Sequence, residues 1–295
     1  MSRAVKKAVI PVAGLGTRGL PFTKEIPKEL HPIIDTPAIQ FIVEEVIAAG
    51  IEQVIFVSCK GKSALEDYFD PSPQLEQRLR ARGNAEMADR IRRIGTLCEV
   101  ISVRQKEPLG LGHAVRCARP VVGDEPFAVC LGDEIFPGWG DPKGTSPVLK
   151  GLVASAEKLG ASVAAVMEVP KEDTRRYGIV DTGGALPGPG PVKVVRTVEK
   201  PDPANAPSNL AIVGRYVFEP GIFDELEKIK PGAGGEIQLT DAMDRLARDG
   251  RLYAQRVENR RYDIGSQFGI VQAQIEAALQ RPELADRLKR YLKTL

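Results

Sequence analysis

The chain has 295 residues, of which 43% are hydrophobic and 27% charged, an ordinary globular balance that excludes wholesale disorder. Forty-one lysines and arginines against thirty-nine aspartates and glutamates leave a formal charge of +2, so no global field attracts nucleic acid or an anionic membrane. Any recognition of phosphate must therefore be local.

The N-terminal segment, the cysteines and the histidines narrow the class of protein further. The first apolar run stops at Pro11, which is too short for a signal peptide or a membrane span, so we expect a soluble, cytoplasmic protein without a membrane partner. The cysteines are widely spaced and form no CxxC pair, which argues against a zinc site or a disulfide scaffold. His31 and His113 are the only histidines, so a His-rich metal centre is excluded, and we expect His113 to be a packing or capping residue.

Strands and helices alternate through the first half of the chain. Apolar, β-branched runs predict strands at residues 5–12, 53–58, 99–104 and 127–131, and helical patterns fall between them at residues 39–49, 73–94 and 111–118. This βαβ rhythm is typical of a mostly parallel sheet with helices on both faces. We therefore predict the α/β class, as a Rossmann-like three-layer α/β/α sandwich with a mostly parallel, mixed sheet.

The second half of the chain has a different character. A predicted helix at residues 148–159 and a strand at 162–169 precede a loop rich in glycine and proline at 183–191. Residues 192–199 and 209–218 indicate further strands, which we expect to form a β-rich insert over the edge of the sheet. Helices at 238–248, 269–279 and 283–292 close the chain, and its length fits a single α/β domain with inserts.

A glycine-rich segment directly follows the first predicted strand. Residues 14–19, Gly-Leu-Gly-Thr-Arg-Gly, match the dinucleotide-binding fingerprint, which requires a helix to open at its last glycine. Prolines at positions 21, 27, 32 and 37 exclude a long helix before about Ala38. An NAD-dependent oxidoreductase is therefore disfavoured.

The same segment can instead form an extended loop at the carboxyl end of the first strand, where open α/β sheets bind their ligands. Glycines there let backbone N–H groups approach a phosphate closely, and Arg18 and Lys28 add two cations. A surface turn with solvated charges is the alternative. We favour a phosphate site because glycines, cations and a strand end converge in one place.

Two aspartates follow strand-like segments elsewhere in the chain. Asp133 comes after the apolar run at 127–131, and Asp263 follows a second strand-like segment. Magnesium prefers one or two carboxylates together with phosphate oxygens and water, so the two residues could hold it against a triphosphate. From the residues alone, a turn or cap role for each aspartate is equally compatible with the pattern.

Several short motifs give a specific resemblance. Residues 14–18 (Gly-Leu-Gly-Thr-Arg) with 27–30 (Pro-Lys-Glu-Leu) resemble the signature of the sugar-phosphate nucleotidyltransferase family, and residues 8–14 are similar to its bacterial members that act on UTP and glucose 1-phosphate. The similarity continues in order at residues 109–114, 198–201, 207–211, 231–236 and 238–242, so it spans nearly the whole chain. One such motif is weak evidence, whereas many in register are strong evidence.

The resemblance implies a role for each matching position. It implies nucleotide contacts from Ala13, Gly14, Gly16, Thr17, Arg18, Lys28, Glu29, Gln105 and Gly110, and sugar-phosphate contacts from Gly178, Glu199 and Lys200. It also implies Asp133 and Asp263 as magnesium ligands, and Arg18, Lys28 and Lys200 as the catalytic cations.

The resemblance further implies an activity and an organisation. The expected reaction joins UTP to glucose 1-phosphate with Mg²⁺, giving UDP-glucose and pyrophosphate by in-line attack on the α-phosphorus. Within one domain, the expected parts are a nucleotide-binding core at residues 1–160 and 237–265, a sugar-binding, β-rich part at 161–236 and C-terminal helices at 266–295. We expect a homodimer or homotetramer and no nucleic-acid partner.

Two alternatives to this activity stay open at the level of sequence. One is a sister enzyme that uses dTTP, CTP or another hexose 1-phosphate, since the phosphate machinery is shared. The other is a catalytically silent regulatory homologue. The chain also departs from the pattern of the resembling enzymes at Gly132, where proline is usual, at its near neighbour Glu134 and at Gly19, where a bulkier apolar residue is common.

Overall fold

The computed structural model of the protein describes residues 3–139, 144–186, 188, 190–232 and 235–295. Parts of two predicted features therefore lie outside the described residues. These are Pro187 and Pro189 of the glycine- and proline-rich loop, and Ala233 and Gly234 of the motif that begins at residue 231.

Strands and helices alternate as the hydrophobic pattern predicts. The strands are β1 (Lys7–Pro11), β2 (Pro32–Ile33), β3 (Thr36–Pro37), β4 (Gln53–Ser58), β5 (Glu99–Arg104), β6 (Phe127–Cys130), β7 (Glu134–Ile135), β8 (Ser162–Glu168), β9 (Gly178–Asp181), β10 (Val192–Lys193), β11 (Arg196–Glu199), β12 (Leu210–Phe218), β13 (Leu252–Arg256) and β14 (Tyr262–Asp263). The helices are α1 (Ala38–Ala48), α2 (Ala64–Asp67), α3 (Pro73–Ala81), α4 (Ala85–Ile94), α5 (Leu111–Cys117), α6 (Arg119–Val122), α7 (Val148–Leu159), α8 (Gly221–Lys228), α9 (Leu239–Arg248), α10 (Gln267–Leu279) and α11 (Pro282–Leu292).

The main sheet is mixed, with the order β10-β13-β8-β12-β6-β1-β4-β5. Strand β1 pairs in parallel with β4 and β6, and β4 pairs in parallel with β5. Strand β12 runs antiparallel to both β6 and β8, and β9 and β11 pair with each other beside it. The carboxyl ends of β1, β4, β5 and β6 therefore meet at one edge of the sheet.

The sheet is covered by helices on both faces. Along β1, Ala8 and Ile10 belong to one hydrophobic core and Val9 to the other, as the two-residue period of a strand dictates. The first core is completed by α1, α7 and α10, and the second by α5, α8 and α9. This arrangement confirms the predicted three-layer α/β/α sandwich and its mixed, mostly parallel sheet.

Several details differ from the sequence-based expectation, among them β13, which was not expected, and the run at 192–199, which is two strands, β10 and β11. The predicted helix at 73–94 is two helices, because Gly83 takes a left-handed φ of 76° and the Asn84 side chain caps α4 by accepting from the N–H of Met87. Helix α8 was not expected. The strand expected at 209–218 does not lie over the sheet edge, since β12 is inserted between β6 and β8, where all its residues are buried.

The first loop, residues 12–31, connects β1 to the β2–β3 hairpin. It contains three single 3-10 turns, at Thr17–Gly19, Phe22–Lys24 and Lys28–Leu30. The first α-helix begins at Ala38, as the prolines predict. The glycine segment thus lacks the helix that a dinucleotide fingerprint requires.

The helices of the protein are short and amphipathic or only partly apolar. Across the described ranges, none of them combines the length and the apolarity that crossing a bilayer requires.

Candidate active site

A cleft of about 470 Å³ opens at the carboxyl edge of the parallel strands. Because β1, β5 and β6 end at this edge, the residues that follow them line the cleft together. Its wall consists of Pro11, Ala13, Gly14, Leu15, Gly16, Thr17, Lys28, Gln105, Pro108, Gly110, Leu111, Ala114, Leu131, Gly132, Asp133, Glu199, Lys200, Glu236 and Gln238.

The glycines of the first loop shape one side of this cleft. Gly16 takes a left-handed φ of 65°, and its carbonyl accepts a hydrogen bond of 2.7 Å from the Thr23 hydroxyl. A β-carbon on Gly14 would stand 3.7 Å from the Lys28 ammonium nitrogen, so any larger side chain would intrude on that cation. The loop can therefore offer backbone N–H groups and a lysine to the same anion.

Two cations of the first loop meet two aspartates from distant parts of the chain. The Lys28 ammonium donates to Asp133 Oδ2 at 2.6 Å. The Arg18 guanidinium lies 3.5 Å from Asp133 Oδ2 through Nη2 and 3.5 Å from Asp263 Oδ2 through Nη1. Arg176 adds a further positive charge, 3.7 Å from Asp263 Oδ2. The structure thus brings together the cations and carboxylates that the sequence placed in one site.

The β7–β14 ladder explains why the aspartates are adjacent. Asp263 on β14 pairs with Glu134 on β7, and the N–H of Ile264 donates to the carbonyl of Asp133 at 2.9 Å. A β-carbon on Gly265 would stand 2.9 Å from Asp133 Oδ2 and 3.0 Å from Asp263 Oδ1. Glycine at this position therefore leaves room for both carboxylates.

The charges at this point stabilise one another. Burial acts to raise the pKa of Asp133, but the Lys28 ammonium and the Arg18 guanidinium outweigh it, so the pKa is lowered. For Lys28, burial acts to lower the pKa, and the carboxylates of Asp133 and Glu29 outweigh it, so the pKa is raised. Both groups are therefore charged at neutral pH.

Beneath the aspartates lies an ion pair that the sequence did not reveal. The Glu134 carboxylate lies 3.1 Å from Arg261 Nε, and Arg261 donates to the Tyr177 hydroxyl at 3.1 Å and covers the Tyr177 ring. Burial raises the pKa of Glu134 to about 7, although Arg261 opposes the shift. A β-carbon on Gly214 would stand 2.9 Å from Glu134, so the departure at Glu134 is accommodated by a glycine on β12.

Glu199 and Lys200 form the opposite wall of the cleft. Lys200 has a φ of 45°, and its ammonium lies 3.2 Å from the Glu199 carboxylate. The Thr240 hydroxyl donates to Glu199 at 2.7 Å, and it would lie 2.8 Å from a β-carbon on Gly178. Gly178 does not line the cleft but supports Glu199 through Thr240.

Gln105 and Gly110 lie on the side of the cleft near α5. Gly110 has a φ of 95°, and a β-carbon there would stand 2.8 Å from the Glu236 side chain and 2.9 Å from the carbonyl of Ile237. The Ile237 N–H donates to the carbonyl of Leu109 at 2.7 Å. Only glycine fits where these two segments cross.

Glu29 takes a different place from the one the resemblance implies. Its side chain is fully buried, pairs with Lys62 at 3.0 Å and does not line the cleft. Burial raises the pKa of Glu29, and Lys62 opposes the shift. The predicted contact of Glu29 with the base stays a prediction, and the burial of this side chain does not support it. The Glu29–Lys62 pair instead stabilises the first loop, because Lys62 also donates to the carbonyl of Val12.

The two remaining departures have local packing reasons. A β-carbon on Gly132 would stand 3.0 Å from the Glu29 side chain and 3.2 Å from the carbonyl of Pro11. At Gly19 it would stand 2.7 Å from the Thr23 methyl group, so a bulkier residue would require Thr23 to move. Thr23 is the residue that holds the Gly16 turn.

Sequence reasoning missed the residues that support the site from below or behind. They are Lys62, Arg176, Glu134 as a paired group, Arg261 and Thr240. Each is a charged or hydroxyl residue of a common type, and even Thr240, which lies in the motif at residues 238–242, has no spacing that marks its contact with Glu199. Only their contacts identify them.

Comparison with known proteins decides the family of the chain. The sequence model of the nucleotidyl transferase family matches residues 7–279. The chain belongs to the nucleotidyl transferase family. This nucleotidyl transferase is 48% identical over 294 residues to a UTP–glucose-1-phosphate uridylyltransferase of Bacillus subtilis, covering 99% of the chain and 98% of that relative. A Staphylococcus epidermidis protein of the same name is 47% identical over 293 residues, covering 99% of both chains.

Solved structures agree with this assignment. The nucleotidyl transferase matches a UDP-glucose pyrophosphorylase from Acinetobacter baumannii with a TM-score of 0.88 and 39% identity, covering 98% of this chain and 99% of that one. A UTP-bound structure from the same organism gives a TM-score of 0.86 at 39% identity and covers 99% of both chains. A UDP-glucose pyrophosphorylase complexed with UDP-glucose gives 0.83 at 40% identity, covering 94% of this chain and all of the other.

Proposed function

We infer that the protein is a UTP–glucose-1-phosphate uridylyltransferase, which forms UDP-glucose and pyrophosphate from UTP and glucose 1-phosphate. The arrangement of charged side chains around the cleft is the observation that supports this inference. Arg18 and Lys28 extend from a single glycine loop onto Asp133 at the mouth of a cleft whose other wall carries Lys200. Relatives matched over nearly their whole length carry this name.

The reaction needs positioning and charge neutralisation more than it needs a base. A hexose 1-phosphate is already an anion at neutral pH, so its oxygen can attack the α-phosphorus without losing a proton. We propose that Lys200 holds the sugar phosphate, while Arg18 and Lys28 neutralise the pyrophosphate as it departs. The N–H groups of the first loop, including Gly14 and Gly16, would bind the triphosphate oxygens.

The other binding roles follow from the walls of the cleft. We propose that Ala13, Gly14, Gln105 and Gly110 contact the base, since all four line the cleft. Glu199 lines the opposite wall and can accept hydrogen bonds from sugar hydroxyls, with Gly178 behind it. The nucleotide and the sugar phosphate would then approach each other across the cleft.

Magnesium fits the residues at the aspartate pair. Asp133 and Asp263 face one point, where the Arg18 guanidinium now lies between them. In the ranges that the structure describes, no group of three or more His, Cys, Asp or Glu residues could hold a metal ion by itself. Magnesium usually takes one or two carboxylates from the protein and completes its coordination with phosphate oxygens and water. When bound there, Mg²⁺ would supply positive charge to the phosphate oxygens. We expect a chelator to abolish pyrophosphate release, and added Mg²⁺ to restore it.

The activity is tested by pyrophosphate release from a panel of nucleotides and sugar phosphates. We expect UTP with glucose 1-phosphate to give the highest kcat/KM. Greater release with dTTP, CTP or another hexose 1-phosphate would assign a sister activity. Release with no pair would refute the enzymatic function.

The role of Arg18 is tested by replacement with alanine. We expect Arg18→Ala to lower kcat by about 10²- to 10³-fold, the effect of removing one transition-state donor, with KM for glucose 1-phosphate changed less than about threefold. Arg80→Ala is the matched control, because Arg80 lies on the surface of α3 and its side chain pairs only with Asp89 of α4 among the described contacts. Near-normal turnover of Arg18→Ala would rule out the assigned role.

We also propose a homodimer or homotetramer and a cytoplasmic location, as the resemblance and the sequence imply. Large apolar side chains on α10 support association, since Phe268 is 71% and Val271 50% exposed. Sedimentation at several protein concentrations measures the oligomeric state directly.

A further inference from the structure

The Gln105 side chain is held in the wall of the cleft by two neighbours. Its backbone N–H donates to the carbonyl of Ser58 at 2.8 Å, which fixes the residue at the end of β5. The side-chain amide nitrogen donates to the carbonyl of Gly110 at 3.2 Å and lies 3.0 Å from His113 Nδ1. The residue is only 7% exposed.

These contacts determine which way the amide and the imidazole face. A backbone carbonyl can only accept, so the Gln105 atom that faces Gly110 must be the nitrogen. Its second N–H then points to His113 Nδ1, which must be unprotonated to accept it. The His113 proton lies on Nε2, which is 3.8 Å from the Cys117 sulfur one turn further along α5.

The two neighbours leave a single free group on Gln105. Both amide hydrogens are used, and within the described part of the chain no donor contacts the Oε1 oxygen. That oxygen is an acceptor at the cleft wall. It can accept from the ring N–H of uracil or thymine, whereas the corresponding ring nitrogen of cytosine is itself an acceptor and would face it with a lone pair.

We propose that His113 is a positioning residue that selects the base, because together with the Gly110 carbonyl it holds the Gln105 amide with its oxygen toward the nucleotide and so favours pyrimidines with a ring N–H. The proposal rests on the proposed function, in which Gln105 contacts the base. It assigns a specific role to a histidine expected to be only a packing or capping residue.

The surroundings of His113 keep the ring neutral. Burial and the nearby Arg116 lower the pKa of His113, and Glu107 from the preceding loop opposes the shift. Burial raises the pKa of the Cys117 thiol, so that this neighbour is uncharged. The ring therefore accepts from Gln105 at neutral pH and loses this ability when it is protonated as the pH falls.

Two substitutions separate the hydrogen bond from packing. His113→Leu keeps a similar volume but has no acceptor, whereas His113→Asn places an amide oxygen close to the position of Nδ1. For each variant and the wild type, kcat and KM are measured with UTP, dTTP and CTP at saturating glucose 1-phosphate. Thermal unfolding checks that each variant is folded.

We expect His113→Leu to lower the ratio of kcat/KM for UTP to that for CTP about tenfold, the effect of one neutral hydrogen bond, mainly through KM for the nucleotide. The ratio for UTP to dTTP should not change, because both bases carry the same ring N–H. His113→Asn should keep the UTP to CTP ratio within about twofold of wild type. KM for glucose 1-phosphate should stay constant throughout.

The pH dependence provides a second, independent measurement. In the wild type the UTP to CTP ratio should fall more steeply than in His113→Asn as the pH is lowered from about 8 to about 5, because only the wild type has an imidazole to protonate. Titration of the triphosphate cancels in the ratio, and protonation of the cytosine ring cancels between the wild type and His113→Asn because both enzymes are assayed with the same nucleotides. This comparison decides the matter even if His113→Leu does not fold.

An unchanged UTP to CTP ratio in folded His113→Leu, or the same pH dependence of the ratio in the wild type and His113→Asn, would overturn the proposal. Equal losses in the asparagine and leucine variants would also overturn it, since they would indicate packing alone. Failure of the proposed function looks different, because the wild type would then release no pyrophosphate with any nucleotide.

Discussion

A buried ion pair between Glu45 and Arg215 lies behind the cleft, and its contribution can be measured as a change in the free energy of unfolding. Arg215 on β12 donates to Glu45 Oε2 from Nη2 at 2.8 Å and from Nε at 3.1 Å. Glu45 Oε1 also accepts from the N–H of Leu149 at 3.1 Å, and Arg215 Nη1 lies 3.5 Å from the carbonyl of Leu131, two residues before Asp133. The change Glu45→Gln keeps the shape of the side chain and removes its charge.

The magnitude follows from the burial of the pair. The side chains of Arg215 and Glu45 are 0% and 1% exposed. Removing one charge of such a pair leaves the other uncompensated, and the Phe136 ring, 5.0 Å from the guanidinium, offsets only part of that cost. We therefore expect Glu45→Gln to lower the free energy of unfolding by about 3–4 kcal/mol.

Replacing both partners should cost less than replacing one. Glu45→Leu with Arg215→Met removes both charges, so the remaining loss comes mainly from the Leu149 N–H, which is left without an acceptor. We expect a total loss of about 1–2 kcal/mol for the double variant.

Urea unfolding followed by circular dichroism measures both losses, and pyrophosphate release at low denaturant reports whether the cleft persists. A loss below about 1 kcal/mol for Glu45→Gln, or a double variant as unstable as the single one, would refute the reasoning.

Two further changes test other parts of the structure. Gly110→Ala should raise KM for UTP at least about tenfold, because its β-carbon would displace Glu236 and Ile237. Gly83 also has a left-handed φ but open space around it, so Gly83→Ala should lower stability without lowering activity. Equal activity of the two variants would contradict this explanation. Glu225, which accepts from Arg245 at 2.7 Å, has a lowered pKa, chiefly because of that hydrogen bond. Its stabilising contribution is therefore complete above the unfolded pKa of 4.5 and is lost as the pH falls below it, so acid unfolding curves should show a smaller loss of stability between about pH 5 and pH 3 for Glu225→Gln than for wild type.

Much of the fold follows from hydrophobic period alone. The strands at Gln53–Ser58 and Glu99–Arg104 and the helix at Val148–Leu159 have the bounds that the sequence predicts. The position of β12 could not be predicted in this way, because an apolar run shows that a strand is buried but not which strands lie beside it. Its antiparallel insertion depends on contacts distant in sequence.

The site likewise contains residues that local sequence patterns predict and residues that only tertiary contacts bring together. The first loop and Asp133 directly follow strands, so the edge of the sheet to which they belong could be predicted. The pairs Glu134–Arg261 and Glu29–Lys62 join residues far apart in the chain, and no local spacing marks them. The roles of the predicted site residues stay proposals for the experiments above.

The β7–β14 ladder has a consequence for how the protein is made. Translation delivers Arg18, Lys28 and Asp133 first, and Asp263 reaches the tunnel exit only after most of the sheet has been synthesised. A growing chain therefore carries the cationic loop and a single carboxylate of the pair until β14 emerges. Premature termination or proteolysis before β14 should yield fragments that cannot assemble the pair of acids, so a molecule becomes competent only after β14 has been synthesised.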